Sequence, residues 1–293
     1  MRNVTVAVTQ MKCSADIKEN RKKAEAMVKE AAEKGADIVL LQELFENLYF
    51  CQNYDVRNFD LASDADDFPF LDHMADLARK LNVVIPVSFF EKKNNLYYNT
   101  VVVIDSDGTK LGKYRKSHIP DDPGYFEKFY FSPGDTGFKV WETRKGKIGI
   151  GICWDQWFPE TARIMALMGA EILLYPTAIG FHTHGKTPNC SDHWQLTMRG
   201  HAAANMVPVM ASNRIGIETG DWTEIEFFGR SFITDEKGKV IAEADGKSEC
   251  VLAATFDLDQ MAVNRRNFVL FRDRRPELYG KLMTKDGEQI QEV

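Results

Sequence analysis

Between Ala36 and Leu41 the chain runs through a short, nearly all-apolar stretch that ends in Gln42-Glu43. A run of this length and composition reads as a strand buried on both faces, so other layers have to cover it. The preceding residues supply one. Val4, Val6 and Val8 alternate as in a strand, and Ala24, Met27, Val28 and Ala31 keep helical spacing up to a stop at Gly35. A βα unit therefore opens the chain, and the alternation continues. Leu71, Met74, Ala75, Ala78 and Leu81 mark a second helix, followed by a strand through Val83, Ile85 and Val87. Tyr98 to Ile104 and Lys110 to Tyr114 read as a hairpin around the turn Asp105 to Gly108, with Lys116 just beyond it. Later strands fit Ile172 to Tyr175, Val207 to Ala211, Arg230 to Thr234, Val240 to Ala244 and Val251 to Phe256, and a helix fits Trp194 to Met206. The pattern is α/β throughout. No repeat or linker divides it, so residues 1–293 are expected to form one domain, with a basic, aromatic C-terminal arm from about Asn264.

The stretch Lys147 to Glu160 carries the first chemical signal. Ile148, Ile150 and Ile152 alternate with Gly149 and Gly151, giving a strand with one branched face and one bare face open to close approach by backbone or substrate. Cys153 ends it. Pro159 and Glu160 suit a helix start, with Ala162, Ile164, Leu167 and Met168 as the buried stripe. A thiol near a helix N-terminus is expected to have a lowered pKa, and the backbone N–H that follows it, on Trp154, can hold an oxyanion. A buried core cysteine fits this stretch equally well.

Glu43 and Lys116 also stand at strand ends. Glu127 lies in the Pro-, Gly- and aromatic-rich segment Ser117 to Gly137, which reads as a long ordered loop of functional type. Each residue alone is an ordinary charge. Together with Cys153 they supply what cysteine-dependent amide cleavage requires: a nucleophile, a proton carrier and positive charge for the oxyanion.

Three separated motifs, Gln42-Glu43, Lys113 to His118 and Gly151 to Asp155, give the chain a resemblance to the nitrilase superfamily of carbon–nitrogen hydrolases over essentially its whole length. The resemblance implies a four-layer αββα sandwich. It also implies Glu43 as general base, Lys116 as oxyanion stabiliser, Cys153 as nucleophile and Glu127 as the second glutamate that orients substrate and Lys116. Cys153 to Glu160, Tyr175 to Gly180, Ala211 to Gly216 and Phe271 to Tyr279 are similar to members acting on the carbamoyl derivative of a small amine. Members that act on carbamoyl-amino acids carry two arginines after the nucleophile to clasp a carboxylate. Gln156 and Trp157 stand there instead, and the Trp157 ring is a candidate contact for an ammonium. Glu46, Asp155, Glu218, Glu224 and Glu226 are candidate partners for that ammonium.

The expected partner is thus a small cationic carbamoyl compound, with no metal and no organic cofactor. His182, His184, Cys190 and His193 are metal-ligand types but match no common zinc spacing. Gly149 and Gly151 do not continue into a dinucleotide-binding glycine motif. The rival catalytic scheme is a Cys–His pair using His118, His193 or His201, and the rival outside enzymes is a binding protein without turnover. A formal charge of −6 argues against nucleic acid. The absence of a signal-type segment or an apolar run long enough to span a bilayer points to a cytoplasmic protein. Five scattered cysteines fit free thiols in a reducing compartment. The C-terminal arm is the expected contact of a homo-oligomer.

Overall fold

The computed structural model describes residues 1–183 and 189–288. In chain order its strands are β1 (Asn3–Gln10), β2 (Ile38–Leu40), β3 (Ile85–Lys93), β4 (Leu96–Ile104), β5 (Lys110–Arg115), β6 (Val140–Thr143), β7 (Gly146–Ile150) and β8 (Ile172–Pro176). They continue with β9 (Gly180–His182), β10 (Val209–Ser212), β11 (Ile215–Thr219), β12 (Glu224–Phe228), β13 (Phe232–Thr234), β14 (Val240–Glu243) and β15 (Cys250–Asp257). The helices are α1 (Ile17–Glu33), α2 (Pro69–Leu81), α3 (Glu127–Tyr130), α4 (Pro159–Leu167), α5 (Ser191–Asn205) and α6 (Leu258–Phe268).

One sheet runs β15-β1-β2 and continues into β3-β4-β5 through a parallel bridge between Ile38 and Val84. The other is six-stranded, in the order β14-β13-β10-β8-β7-β6, and a small sheet β11-β12-β9 meets the chain just beyond β1 through a parallel bridge between Lys12 and Ile215. Because side chains alternate along a strand, each sheet has an inner and an outer face. Val6, Val8, Ile38, Leu40, Val101 and Val103 of the first sheet meet Ile148, Ile150, Ile172, Leu174, Met210 and Ile233 of the second in one cluster. The outer face of the first sheet packs on α1 and α2 through Ala24, Val28, Leu71 and Met74. The outer face of the second packs on α4 and α5 through Ala162, Met165, Trp194 and Met198. The layers are therefore α, β, β and α, as the resemblance implies. Among the described residues no helix is long and apolar enough to cross a membrane.

Three local readings are corrected. The bare face of the glycine strand is not open to substrate. A Cβ on Gly149 would lie 2.9 Å from Met165 Sδ, and one on Gly151 would lie 2.8 Å from Tyr175 Cε1 and 3.2 Å from Thr161 Cγ2. The glycines let α4 approach the sheet. In consequence α4 buries Thr161, Ala162, Met165 and Ala166, while Ile164, Leu167 and Met168, expected inside, are exposed. Finally, α6 carries regular helix through Phe268, past the expected start of the arm, before Val269 turns the chain in the left-handed region at φ +56°. Beyond it Leu278, Leu282 and Met283 are exposed.

Candidate active site

Three strands deliver the predicted residues to one place. Cys153 opens a tight 3-10 turn, Cys153–Trp157, that separates β7 from α4. Its φ is +40°, a conformation that a non-glycine residue holds only when its surroundings impose it. Glu43 follows β2 and precedes Leu44, another positive-φ residue, at +47°. Arg214 holds that bend, its Nη2 donating to the carbonyls of Glu43 at 2.9 Å and Leu44 at 3.1 Å. Lys116 follows β5. Its carbonyl accepts from Gly134 N at 2.8 Å, and any Cβ on Gly134 would lie 2.0 Å from the Arg115 carbonyl oxygen, so that crossing requires glycine. Glu127 is the first residue of α3 inside the long loop.

Glu43, Lys116 and Glu127 are fully buried, and their side chains form one ion-pair cluster. Lys116 Nζ donates to Glu43 Oε1 at 2.9 Å and to Glu127 Oε2 at 2.6 Å. Asn99 Nδ2 donates to Glu43 Oε1 at 2.7 Å, and Tyr49 OH donates to Glu127 Oε1 at 2.6 Å. A second buried pair, Arg214 with Glu218 at 2.9 Å, joins the cluster through Tyr49, whose backbone N–H donates to Glu218 Oε2 at 2.6 Å. Among the described residues two buried acceptors of this cluster lack a hydrogen-bond partner, Asn99 Oδ1 and Glu43 Oε2, and of the two only the carboxylate oxygen can take up a proton. Buried polar atoms are nearly always paired, so an orphan inside a charged cluster marks a place where a proton can be received.

The electrostatics differ from the expectation for the thiol. Burial, followed by the charge of Glu43, pushes the Cys153 pKa up against the opposing pull of Lys116. Ionising this thiol therefore calls for a base. Burial works against charge on Lys116 as well, but Glu127 and Glu43 outweigh it and hold the ammonium protonated. Burial and the Glu43 charge push the Glu127 carboxyl up to about 7, with Lys116 pulling the other way. A thiol, a carboxylate with a free oxygen and a fixed ammonium can together attack a carbonyl carbon, carry the proton and neutralise the oxyanion.

Cys153 and Glu127 open into a cavity of about 570 Å³ with an aromatic wall of Tyr125, Trp154, Trp157 and Phe181. Trp154 and Trp157 meet with ring centroids 6.4 Å apart. Gln156 is not on this wall. Its Oε1 accepts from Trp194 Nε1 at 2.8 Å and Thr177 Oγ1 at 3.1 Å, so the side chain belongs to the core under α5.

Of the acids named for an ammonium, Glu46 pairs with Arg21, and Glu218 with Arg214. Asp155 is enclosed by Tyr114, Ile152 and His118, Glu224 accepts from Thr183, and Glu226 faces solvent. None of the five lines the cavity. Sequence reasoning misses Asp122, which does, and whose side chain has no ion-pair partner among the described residues. The signal for it is the loop flagged as functional.

His182, Cys190 and His193 lie on the cavity wall, while His184 is outside the described residues. No group of metal-ligating side chains suited to a metal ion occurs among the described residues. Cys153 Sγ donates to the Ala178 carbonyl at 3.8 Å and, among the described residues, to no histidine. His118 is committed to Asp155, His201 to the Gln156 carbonyl, and His193 packs on Trp157.

Residues 5–266 match the family model described as carbon-nitrogen hydrolase. The chain is similar to an N-carbamoylputrescine amidase of Arabidopsis thaliana, 55% identical over 98% of this chain and 97% of that protein. It is also similar to a citrullinase of Francisella tularensis, 52% identical over 97% of this chain and 100% of that protein. A crystal structure of a carbon-nitrogen hydrolase from Helicobacter pylori superposes with a TM-score of 0.90 at 40% identity, covering 97% of this chain and 99% of that one. With the buried Glu-Lys-Cys cluster in the matched region, the chain belongs to the carbon–nitrogen hydrolase family of the nitrilase superfamily and is a cysteine amidohydrolase.

Proposed function

We propose that this chain hydrolyses N-carbamoylputrescine to putrescine, carbon dioxide and ammonia, as a step of polyamine biosynthesis. The observation that carries the chemistry is the free Oε2 of Glu43 in a carboxylate whose other oxygen is held by Lys116 and Asn99. Glu43 takes the Sγ proton of Cys153, and the thiolate attacks the carbamoyl carbon. Lys116 Nζ and the Trp154 N–H hold the oxyanion, the latter at the start of a turn where N–H groups lack intrahelical partners. Glu43 returns the proton to the leaving putrescine nitrogen. It then deprotonates a water that cleaves the S-carbamoyl bond, regenerating the thiol and releasing carbamate, which breaks down to carbon dioxide and ammonia.

Relatives named for carbamoylputrescine and the character of the cavity support the substrate. Trp157 offers a ring face worth about 0.5 to 2 kcal/mol to an ammonium, and Asp122 offers the carboxylate. The citrullinase relative motivates a second reading, since citrulline presents the same carbamoyl group with a carboxylate beside the distal amine. Among the described residues no lysine or arginine lines the cavity to receive that carboxylate. A carboxylate buried without a partner costs several kcal/mol, and each 1.36 kcal/mol is about tenfold in rate.

The test is kcat/KM, read as ammonia release, for N-carbamoylputrescine beside citrulline, N-carbamoyl-β-alanine and N-carbamoyl-amino acids. At least about a hundredfold preference for the cationic substrate is expected. Asp122→Asn should erode that preference about tenfold through KM while leaving an uncharged alkylurea unaffected. A carboxylate-bearing substrate that equals the cationic one overturns the substrate assignment.

The raised Glu127 pKa gives a second expectation. If Lys116 needs the ionised carboxylate beside it, kcat/KM falls as pH drops through about 7 and Glu127 takes a proton. Stability moves the other way. For a carboxyl raised in the folded state, the stabilising contribution is complete below its ordinary value and is lost as pH rises through about 7. Acid should thus make the protein more stable and less active over this window. Profiles of kcat/KM and Tm between pH 5 and 9 check both signs. An acid limb that persists unchanged in Glu127→Gln assigns it to another group.

A further inference from the structure

We propose that Asp155 is a positioning residue that sets the distance between Cys153 and Lys116. This rests on the roles proposed above for those two residues. Asp155 is fully buried, and both its oxygens are doubly occupied. Oδ2 accepts from the Ile152 N–H at 2.9 Å and from Tyr114 OH at 2.7 Å. Oδ1 accepts from the His118 N–H at 3.0 Å and from His118 Nδ1 at 2.7 Å.

The choice of partners makes the case. Ile152 immediately precedes the nucleophile, and Tyr114 and His118 stand two residues to either side of Lys116. One carboxylate therefore ties the backbone carrying the thiol to both flanks of the residue carrying the ammonium. These two segments come from different sheets, β7 and β5, so no ladder hydrogen bond fixes their separation. Tyr114 OH also accepts from the Ser117 N–H at 3.2 Å, which closes the clamp around Lys116. The His118 ring stacks on Phe158 with centroids 3.7 Å apart and planes inclined by 7°, tying the same segment to the residue before α4. Cys153 itself sits at φ +40°, and a backbone held there needs fixed neighbours. A misplacement of about 1 Å between a nucleophile and its oxyanion donor can cost about a hundredfold in rate. Asp155 touches neither the cavity nor the reacting atoms, so its effect passes through geometry.

The experiment compares wild type, Asp155→Asn and Tyr114→Phe in two reactions of Cys153. Hydrolysis of N-carbamoylputrescine passes through an oxyanion and needs the Cys153–Lys116 spacing. Alkylation by iodoacetamide is a displacement without an oxyanion and does not. Asparagine offers an N–H where one pair of donors needs an acceptor. At a temperature well below its Tm, Asp155→Asn is expected to lose at least about a hundredfold in kcat, with KM and the alkylation rate within about threefold of wild type. Tyr114→Phe removes one donor and should lose about tenfold in kcat with the same split. Hydrolysis by a folded Asp155→Asn within threefold of wild type, or alkylation that falls in parallel with hydrolysis, overturns the proposal. If Asp155→Asn does not fold, Tyr114→Phe decides, and kcat within twofold of wild type overturns it. Cys153→Ser run alongside separates the two readings. Turnover by Cys153→Ser means the catalytic scheme fails, whereas an inactive Cys153→Ser beside an active Asp155→Asn means only the clamp fails.

Discussion

Cys153→Ser is expected to leave a folded protein that releases ammonia at least about 10⁴-fold more slowly than wild type. The substitution changes little in the packing, because oxygen is smaller than sulfur and the hydrogen bond of Sγ to the Ala178 carbonyl is long, at 3.8 Å. The φ of +40° is set by the turn and not by the side chain. What changes is the proton. Burial and the Glu43 charge already oppose ionisation of a thiol here, and a hydroxyl in the same place is far harder to deprotonate. The Glu43 oxygen that can take a proton from sulfur is poorly matched to an alkoxide, and Lys116 cannot close so large a gap. Steady-state ammonia release, with circular dichroism and Tm as controls, reads the effect. Activity within tenfold of wild type in a folded variant would remove Cys153 as nucleophile.

Glu43, Lys116 and Cys153 are legible in the sequence because each follows a strand whose apolar run is plain, and strand ends are where side chains leave the core. Their meeting is not legible from the runs themselves. It depends on β2 and β5 of one sheet facing β7 of the other, which only the packed sandwich determines. The same limit explains α4. Ile164, Leu167 and Met168 keep helical spacing, but so do Thr161, Ala162, Met165 and Ala166, and the spacing alone does not say which set turns inward. Gly149 and Gly151 hold the answer. A sheet face without side chains leaves room for Met165 over Gly149 and Thr161 over Gly151, so the glycines and that face of α4 fit each other. The direction of the thiol pKa is lost for a related reason. A helix N-terminus lowers it in isolation, whereas in the fold burial and Glu43 dominate. Asp122 carries no pattern of its own beyond its place in the long loop, and only the fold of that loop brings it to the cavity.

Glu43→Gln should lower kcat by at least about 10³-fold with KM nearly unchanged, the upper part of the range for losing a general base. The variant keeps the shape of the side chain and one carbonyl oxygen. Lys116 and Asn99 both donate to Oε1, so the amide oxygen will settle on that side. The amide nitrogen then takes the place of Oε2, a buried atom with no partner among the described residues. It presents hydrogens where the mechanism needs a lone pair. Lys116 remains charged beside Glu127 at 2.6 Å, so the oxyanion site survives and the loss reports proton transfer. Removing one of two buried carboxylates from a cluster with one ammonium also relieves repulsion, so Tm should hold or rise while activity collapses. A Cys–His pair predicts the reverse: Glu43→Gln close to wild type, and one of the His118, His193 or His201 alanine variants inactive with both KM and fold preserved. The partners of these histidines, Asp155 for His118, the Gln156 carbonyl at 2.8 Å for His201 and the Trp157 ring with centroids 4.9 Å apart for His193, leave none of them bonded to Cys153. Ammonia release by the four variants at one pH, each with its Tm, decides between the schemes.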